Sequence, residues 1–152
     1  MFFVGTGYAA EAMKDLVSEN GLDSQVTFVG NITDRDKLKL YYAASDLFLF
    51  PSLYDNAPLV VREAAALHTP SIMVRGATAS TILTDGENGF LIDNNLTSFE
   101  DKLRELIADP VRVHRVGVQA SKSIVRSWED VVDEVLDRYN SLISSRTLIN
   151  KM

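Results

Sequence analysis

The chain contains no cysteine, which removes disulfide scaffolds, thiolate metal sites and cysteine nucleophiles together. It also has too few bases for its acids. Fifteen Lys and Arg stand against 21 Asp and Glu, giving a formal charge of −6. A surface of that sign repels polyphosphate and argues against a nucleic-acid footprint, although one phosphate held by backbone dipoles stays compatible with it. Long hydrophobic runs are missing as well. The longest, 47–53 and 64–67, are far too short to cross a bilayer. The amino terminus lacks the basic flank and long apolar stretch of a signal peptide, which fits a cytoplasmic location. No repeat, low-complexity tract, linker, P-loop, serine nucleophile elbow or metal-ligand spacing around His68 and His114 is found.

What is present is an ordinary globular composition, 46% hydrophobic and 24% charged, in 152 residues, enough for one sizeable core. The opening run Met1-Phe2-Phe3-Val4-Gly5 begins almost inside a strand, as a piece of a longer chain would. Short apolar runs alternate with helical stretches. Strands are predicted at 2–4, 26–29, 47–50, 71–74 and 90–92. Helices are predicted at 9–19, 33–44 with Thr33 as N-cap, 58–67 with Pro58 in the first turn, and near 78–83. Three more follow at 98–108, 110–126 and 128–144, the last capped by Ser127. Trp128 is expected to pack that helix back onto the domain. One domain over 1–145 and a frayed tail over 146–152 result.

This alternation implies an α/β, Rossmann-like fold with a parallel sheet and helices on both faces. Ligands in such sheets bind beyond the carboxyl ends of the strands. Gly5-Thr6-Gly7-Tyr8-Ala9-Ala10 follows a strand there and matches the G-x-G-x-x-A pattern of dinucleotide sites. That pattern wants an acid at the tip of the next strand, where Gly30-Asn31 stands instead. A tight strand-to-helix turn is the preferred reading, with a ligand passing near Gly5 and Gly7.

The most informative stretch is Phe50-Pro51-Ser52-Leu53-Tyr54-Asp55-Asn56-Ala57-Pro58-Leu59-Val60-Val61-Arg62-Glu63-Ala64. Seven residues separate Asp55 in the loop from Glu63 in the helix, and Leu59 and Glu63 share a helix face. The N–H groups of the first turn, Leu59 to Val61, carry partial positive charge and suit a diphosphate. The carboxylates on either side suit paired hydroxyls of a sugar or ribose. Taken alone, a solvated loop Asp and a structural Glu satisfied by a neighbour would also explain the pair.

The chain resembles the carboxyl-terminal, donor-binding domain of family 4 retaining glycosyltransferases, which have the GT-B fold. The resemblance runs from Val4 to about Ile143. It rests on Val4-Gly5-Thr6-Gly7, Val26-Thr27-Phe28-Val29-Gly30, Tyr41-Tyr42-Ala43-Ala44-Ser45-Asp46-Leu47-Phe48-Leu49-Phe50-Pro51-Ser52, Glu63-Ala64, Thr69-Pro70 and Asp85-Gly86-Glu87-Asn88-Gly89-Phe90-Leu91-Ile92. It implies that Asp55, the catalytic-site acid, contacts the donor sugar and Glu63 the ribose. Asn56, Ala57, Pro58, Leu59 and Val60 would line the phosphate and sugar pocket, with the base near Gly30 and Asn31. The donor would be a UDP-sugar first and a GDP-sugar second, with no cofactor and no metal. The setting would be cell-envelope or polysaccharide biosynthesis.

The family's signature has Glu where Asp55 stands, Gly-Phe-Gly where Asn56-Ala57-Pro58 stands, often Gly at His68, and a double Gly within 75–80. The Arg and Lys that neutralise the diphosphate in the family come from loops upstream of this stretch, as does the acceptor domain. The chain alone is therefore expected to bind nucleotide weakly and transfer nothing. Any membrane contact would be made by the absent half. Arg75 reads as a surface charge and His68 as a turn residue. The rival readings are a nucleotide-sugar epimerase of the same architecture and a non-catalytic nucleotide-binding or interaction domain.

Overall fold

The computed structural model describes residues 1–149, and side chains over residues 1–145. The chain divides into two compact units, Met1–Ser45 and Asp46 onward. Among the described residues all strand pairing is parallel, as expected, but it falls into one two-stranded and one three-stranded sheet rather than a single one.

In the first unit β1 (Phe2–Val4) pairs with β2 (Thr27–Gly30), and the register slips between Phe3 and Val4. The glycines beside the slip, Gly5 and Gly30, take φ of 119° and 77°, where a side chain is unfavourable. Phe3 stacks on Phe28 with ring centroids 5.1 Å apart, and Phe2 meets Tyr41 edge-on at 5.5 Å. Helix α1 (Ala10–Glu19) closes at Asn20 and Gly21. Helix α2 (Arg35–Ala43) starts one residue later than predicted. Its cap is Asp34 rather than Thr33, because the Asp34 carboxylate accepts the N–H groups of Asp36 and Lys37 at 2.9 and 3.1 Å. A charged acceptor also suits the positive helix end better than a hydroxyl does.

In the second unit the strands run in the order β3 (Phe48–Phe50), β4 (Ser71–Val74), β5 (Phe90–Ile92). Helix α3 (Leu59–Ala66) joins the first two, and a 3-10 turn, Thr78–Ile82, lies between the last two. Helices α4 (Leu96–Ala108), α5 (Pro110–Ser123) and α6 (Trp128–Ile149) follow. Period-two alternation sorts the side chains into two cores. Ile72, Val74, Phe90 and Ile92 pack against Leu106 of α4 and Val113 and Val116 of α5. Met73, with Phe48, Phe50 and Leu91, packs on the other face against Val61 and Ala65 of α3 and Ala120 and Ile124 at the end of α5. Both faces are covered, which explains the near-continuous apolar strands.

Helix α5 serves both cores and lies close against the end of α3. A Cβ on Gly117 would stand 1.9 Å from the His68 carbonyl oxygen. His68 closes α3 in the left-handed conformation, φ 64°. The His68 N–H reaches the Ala65 carbonyl and the Thr69 N–H the Ala64 carbonyl, each at 3.0 Å, the paired bonds of a Schellman motif. That is the position at which helices most often place Gly, and it confirms His68 as a turn residue.

The turn before β5 is held by side chains. The Asn88 oxygen accepts the Thr84 N–H at 2.7 Å and its amide donates to Ser123 Oγ at 3.0 Å. The Asp85 carboxylate accepts the Leu91 N–H at 3.0 Å and pairs with Arg75 at 2.8 Å. Partial burial pushes the Asp85 carboxyl up, but the Leu91 N–H, Arg75 and the nearby Lys102 charge outweigh it and hold it below its ordinary value.

Other boundaries move by small steps. Pro58 is the N-cap of α3 rather than a first-turn residue, and Asn95, accepting the Ser98 N–H at 2.8 Å, starts α4 earlier than predicted. Ser127 caps α6 as expected, exchanging 3.0 Å bonds with Asp130 in both directions. Helix α6 continues to Ile149, past the point where fraying was expected, and residues 150–152 lie outside the described part. Trp128 does not pack the helix down; it is 77% exposed. It belongs to a stripe with Val132, Val135, Leu136, Tyr139, Leu142 and Ile143 that stays exposed along α6. The spacing that marks an inward face in sequence does not say which surface will cover it.

Two outcomes check this packing. Gly117→Ala should cost about 3 kcal/mol or more in urea denaturation, since the methyl meets backbone that cannot step aside; a neutral result contradicts the contact. For Asp85, a folded pKa below the ordinary 3.8 means stabilisation that is present above that value and lost as pH falls through the folded pKa. Asp85→Asn should therefore lower stability at neutral pH and flatten the acid limb of the stability–pH curve, and an unchanged limb would contradict it.

Candidate functional site

The carboxyl ends of β3 and β4 lie side by side, with Phe50 opposite Met73. Pro51 ends β3, and residues 51–58 form the loop that leads into α3. Within it Asp55 is half-buried, and its Oδ1 accepts the Ala57 N–H at 3.2 Å. This is an Asx turn, the local bond that a short acidic side chain makes with the backbone two residues on. Asn56 and Ala57 are exposed, Pro58 is buried, and Tyr54 stands 92% exposed beside Asp55.

Pro58 holds φ −68° and ψ 110° and gives α3 no side-chain cap. The first-turn donors are fewer than predicted. The Val61 N–H is taken by the Pro58 carbonyl at 3.2 Å, while no partner for those of Leu59 and Val60 is found among the described residues. Those two carry the positive end of the helix dipole. Val61, Ala64 and Ala65 point into the core, which leaves Glu63 half-buried at the margin one turn beyond Leu59.

Arg62 does not serve Glu63. Its guanidinium donates to the Ile124 carbonyl at the end of α5 and pins α3 there. Arg75, just past β4, is likewise committed, to Asp85 at 2.8 Å and Asp93 at 3.6 Å. It is a paired surface charge, as read from sequence. His114 is exposed. Sequence reasoning missed two contributors to the site's placement, Arg62 and Gly117. An arginine inside an otherwise apolar helix was the available signal for the first; nothing short of the fold marks the second.

In the first unit Gly5 and Gly7 occupy the turn between β1 and α1, with the Ala10 N–H on the Gly7 carbonyl at 3.1 Å. Gly30 ends β2 and Asn31 follows it, exposed. No carboxylate stands at that tip, as the dinucleotide pattern would need. Among the described residues no group of three or more His, Asp or Glu side chains is placed to hold a metal ion, and no helix is long and apolar enough to cross a membrane. A hollow lined by Glu134, Asp137, Arg138, Ser141 and Leu142 belongs to α6 alone and touches none of the predicted residues.

Residues 1–123 match the family described as "Glycosyl transferases group 1". D-inositol 3-phosphate glycosyltransferase of Rhodococcus jostii is 32% identical over 138 residues, covering 89% of this chain and 30% of that protein. Sucrose-phosphate synthase from Thermosynechococcus elongatus superposes with a TM-score of 0.79 at 27% identity, over 95% of this chain and 38% of that one. HepE of Anabaena, solved with UDP-glucose, gives a TM-score of 0.74 at 23% identity, over 94% and 40%. The chain spans about a third of the length of the curated relatives it matches.

The closure of α3 can be checked without a ligand. His68→Gly removes a left-handed side-chain conformation worth about 1 kcal/mol, partly offset by the freer unfolded chain. The variant should be more stable by a few tenths of a kcal/mol to about 1 kcal/mol in denaturant titration. A loss of stability would show that the imidazole makes contacts which outweigh the strain.

Proposed function

Since the chain belongs to the group 1 glycosyl transferases and corresponds to a carboxyl-terminal GT-B domain, we propose that it binds the donor of an enzyme that transfers a sugar from a nucleoside diphosphate sugar to an acceptor, with retention. One observation carries the proposal: an uncapped helix N-terminus at the carboxyl edge of a parallel sheet, with a carboxylate on each side of it.

The chemistry follows from charge. Breaking the glycosidic bond to the diphosphate leaves negative charge on the leaving group. Fixed N–H dipoles at Leu59 and Val60 stabilise that charge where it gathers and need no reorganisation to do so. Glu63 accepts the ribose hydroxyls, and Asp55 accepts a hydroxyl of the donor sugar. Asn56, Ala57 and Pro58 form the wall between them. For the first unit, taken by itself, the family resemblance implies base contacts at Gly30 and Asn31 and a close backbone approach at Gly5 and Gly7. UDP is the preferred nucleotide, in keeping with the UDP-glucose complex of HepE, and GDP the second. With Arg62 and Arg75 both engaged, the chain should bind nucleotide weakly.

Thermal shift with UDP, GDP and NAD at millimolar concentration tests this. A ligand at ten times its dissociation constant adds about 1.4 kcal/mol, a rise of a few degrees. UDP should raise the melting temperature most, and Glu63→Gln should weaken UDP about tenfold by turning one acceptor into a donor. No response to UDP or GDP, or an unaltered response in Glu63→Gln, contradicts the assignment. A response to NAD alone would favour the dinucleotide reading.

A further inference from the structure

Helix α6 carries an apolar face that its own unit leaves open. Trp128, Val132, Val135, Tyr139 and Leu142 recur at alternating steps of four and three residues, and Leu136 widens the row on one side. That spacing keeps one face turned toward another helix laid along it. All six residues are between 42% and 77% exposed. Among the described residues no strand or helix makes an extended contact with α6; Ser127 caps its start and Arg126 reaches Glu134. A helix gains most of its stability by burying such a face, so an open row of this length marks a surface made to be covered. At their observed exposures the six residues present roughly 800 Å², about the share each partner brings to a stable interface.

The margins of the row say what fits it. Glu129 and Asp133 lie along its Leu136 side, and neither has an ion-pair partner among the described residues. On the opposite margin Glu134 is held between Arg126 and Arg138. Over residues 128–145 five acids stand against one base, Arg138. A second copy would bring the same excess of carboxylates to the row, and an anionic lipid surface would be repelled by it. We propose that this face of α6 docks an amphipathic helix with a basic margin, its apolar side on the Trp128–Leu142 row and its cations against Glu129 and Asp133. The apolar row supplies the affinity, and the two carboxylates select the partner and set its orientation. The proposal is independent of the donor-binding reading.

Trp128 is the only tryptophan of the chain, so its emission reports directly on cover of this face. The full chain is titrated with two synthetic three-heptad peptides that share a leucine face, one flanked by lysine and the other by glutamate. The lysine peptide should shift Trp128 emission to the blue saturably and bind about tenfold tighter than the glutamate peptide. The double change Glu129→Lys with Asp133→Lys should reverse that order. Val135→Asp, an exposed substitution outside both cores, should abolish the shift and leave the thermal transition in place. Equal affinity for the two peptides, an order that the double change leaves unaltered, or no response to either would overturn the proposal. So would a blue shift that appears without peptide. On concentrating the chain, with a dimer in analytical ultracentrifugation, it would assign the face to a second copy. On adding phosphatidylserine vesicles it would assign the face to a lipid surface.

Discussion

The His68 carbonyl rests against the bare backbone of Gly117, and the placement of α3, on which the candidate site is built, depends on that contact. A helix of eight residues has little stability of its own, so its position comes from packing. Small residues make the packing close: Ala64 and Ala65 are sealed, with 0% and 1% exposure. Arg62 adds a polar tie to the Ile124 carbonyl, where the negative end of α5 favours a cation. With its far end closed by the Schellman bonds and its body fixed on α5, α3 has one end left to offer. That end lies at the carboxyl edge of β3, where Pro58 gives no side-chain cap and the Leu59 and Val60 N–H groups have no partner among the described residues.

Much of this was legible in the chain. The strands Ser71–Val74 and Phe90–Ile92 were read to the residue because both faces of their sheet are buried, so their apolar runs are continuous and sharply bounded. Asp55 and Glu63 stood out because carboxylates interrupt an apolar stretch. The misses have physical causes. Thr33 and Asp34 are both good caps, and only the geometry shows that the carboxylate wins. Trp128 carries an inward-facing pattern, yet amphipathicity names a face and not its partner. The Gly117 contact joins residues 49 positions apart and leaves no local trace beyond a glycine in a helix. His68 hides its left-handed backbone because histidine at that position is a tolerated exception.

The electrostatics point the same way as the packing. The chain carries a net charge of −6, and the arginines flanking the site segment in sequence are committed to Ile124, Asp85 and Asp93. On the proposed reading, the backbone dipoles at the start of α3, which are fixed in direction and do not depend on pH, supply positive potential that these two arginines do not. A site of that kind would recognise charge and hydroxyl geometry more than it would supply affinity.

The most direct measurement is an amide chemical-shift titration of the chain with UDP. The account predicts saturable shifts largest at Leu59 and Val60, with Glu63 next and the amides of α6 unmoved. Saturable shifts centred on α6 instead, or none at the start of α3 at millimolar UDP, would contradict it.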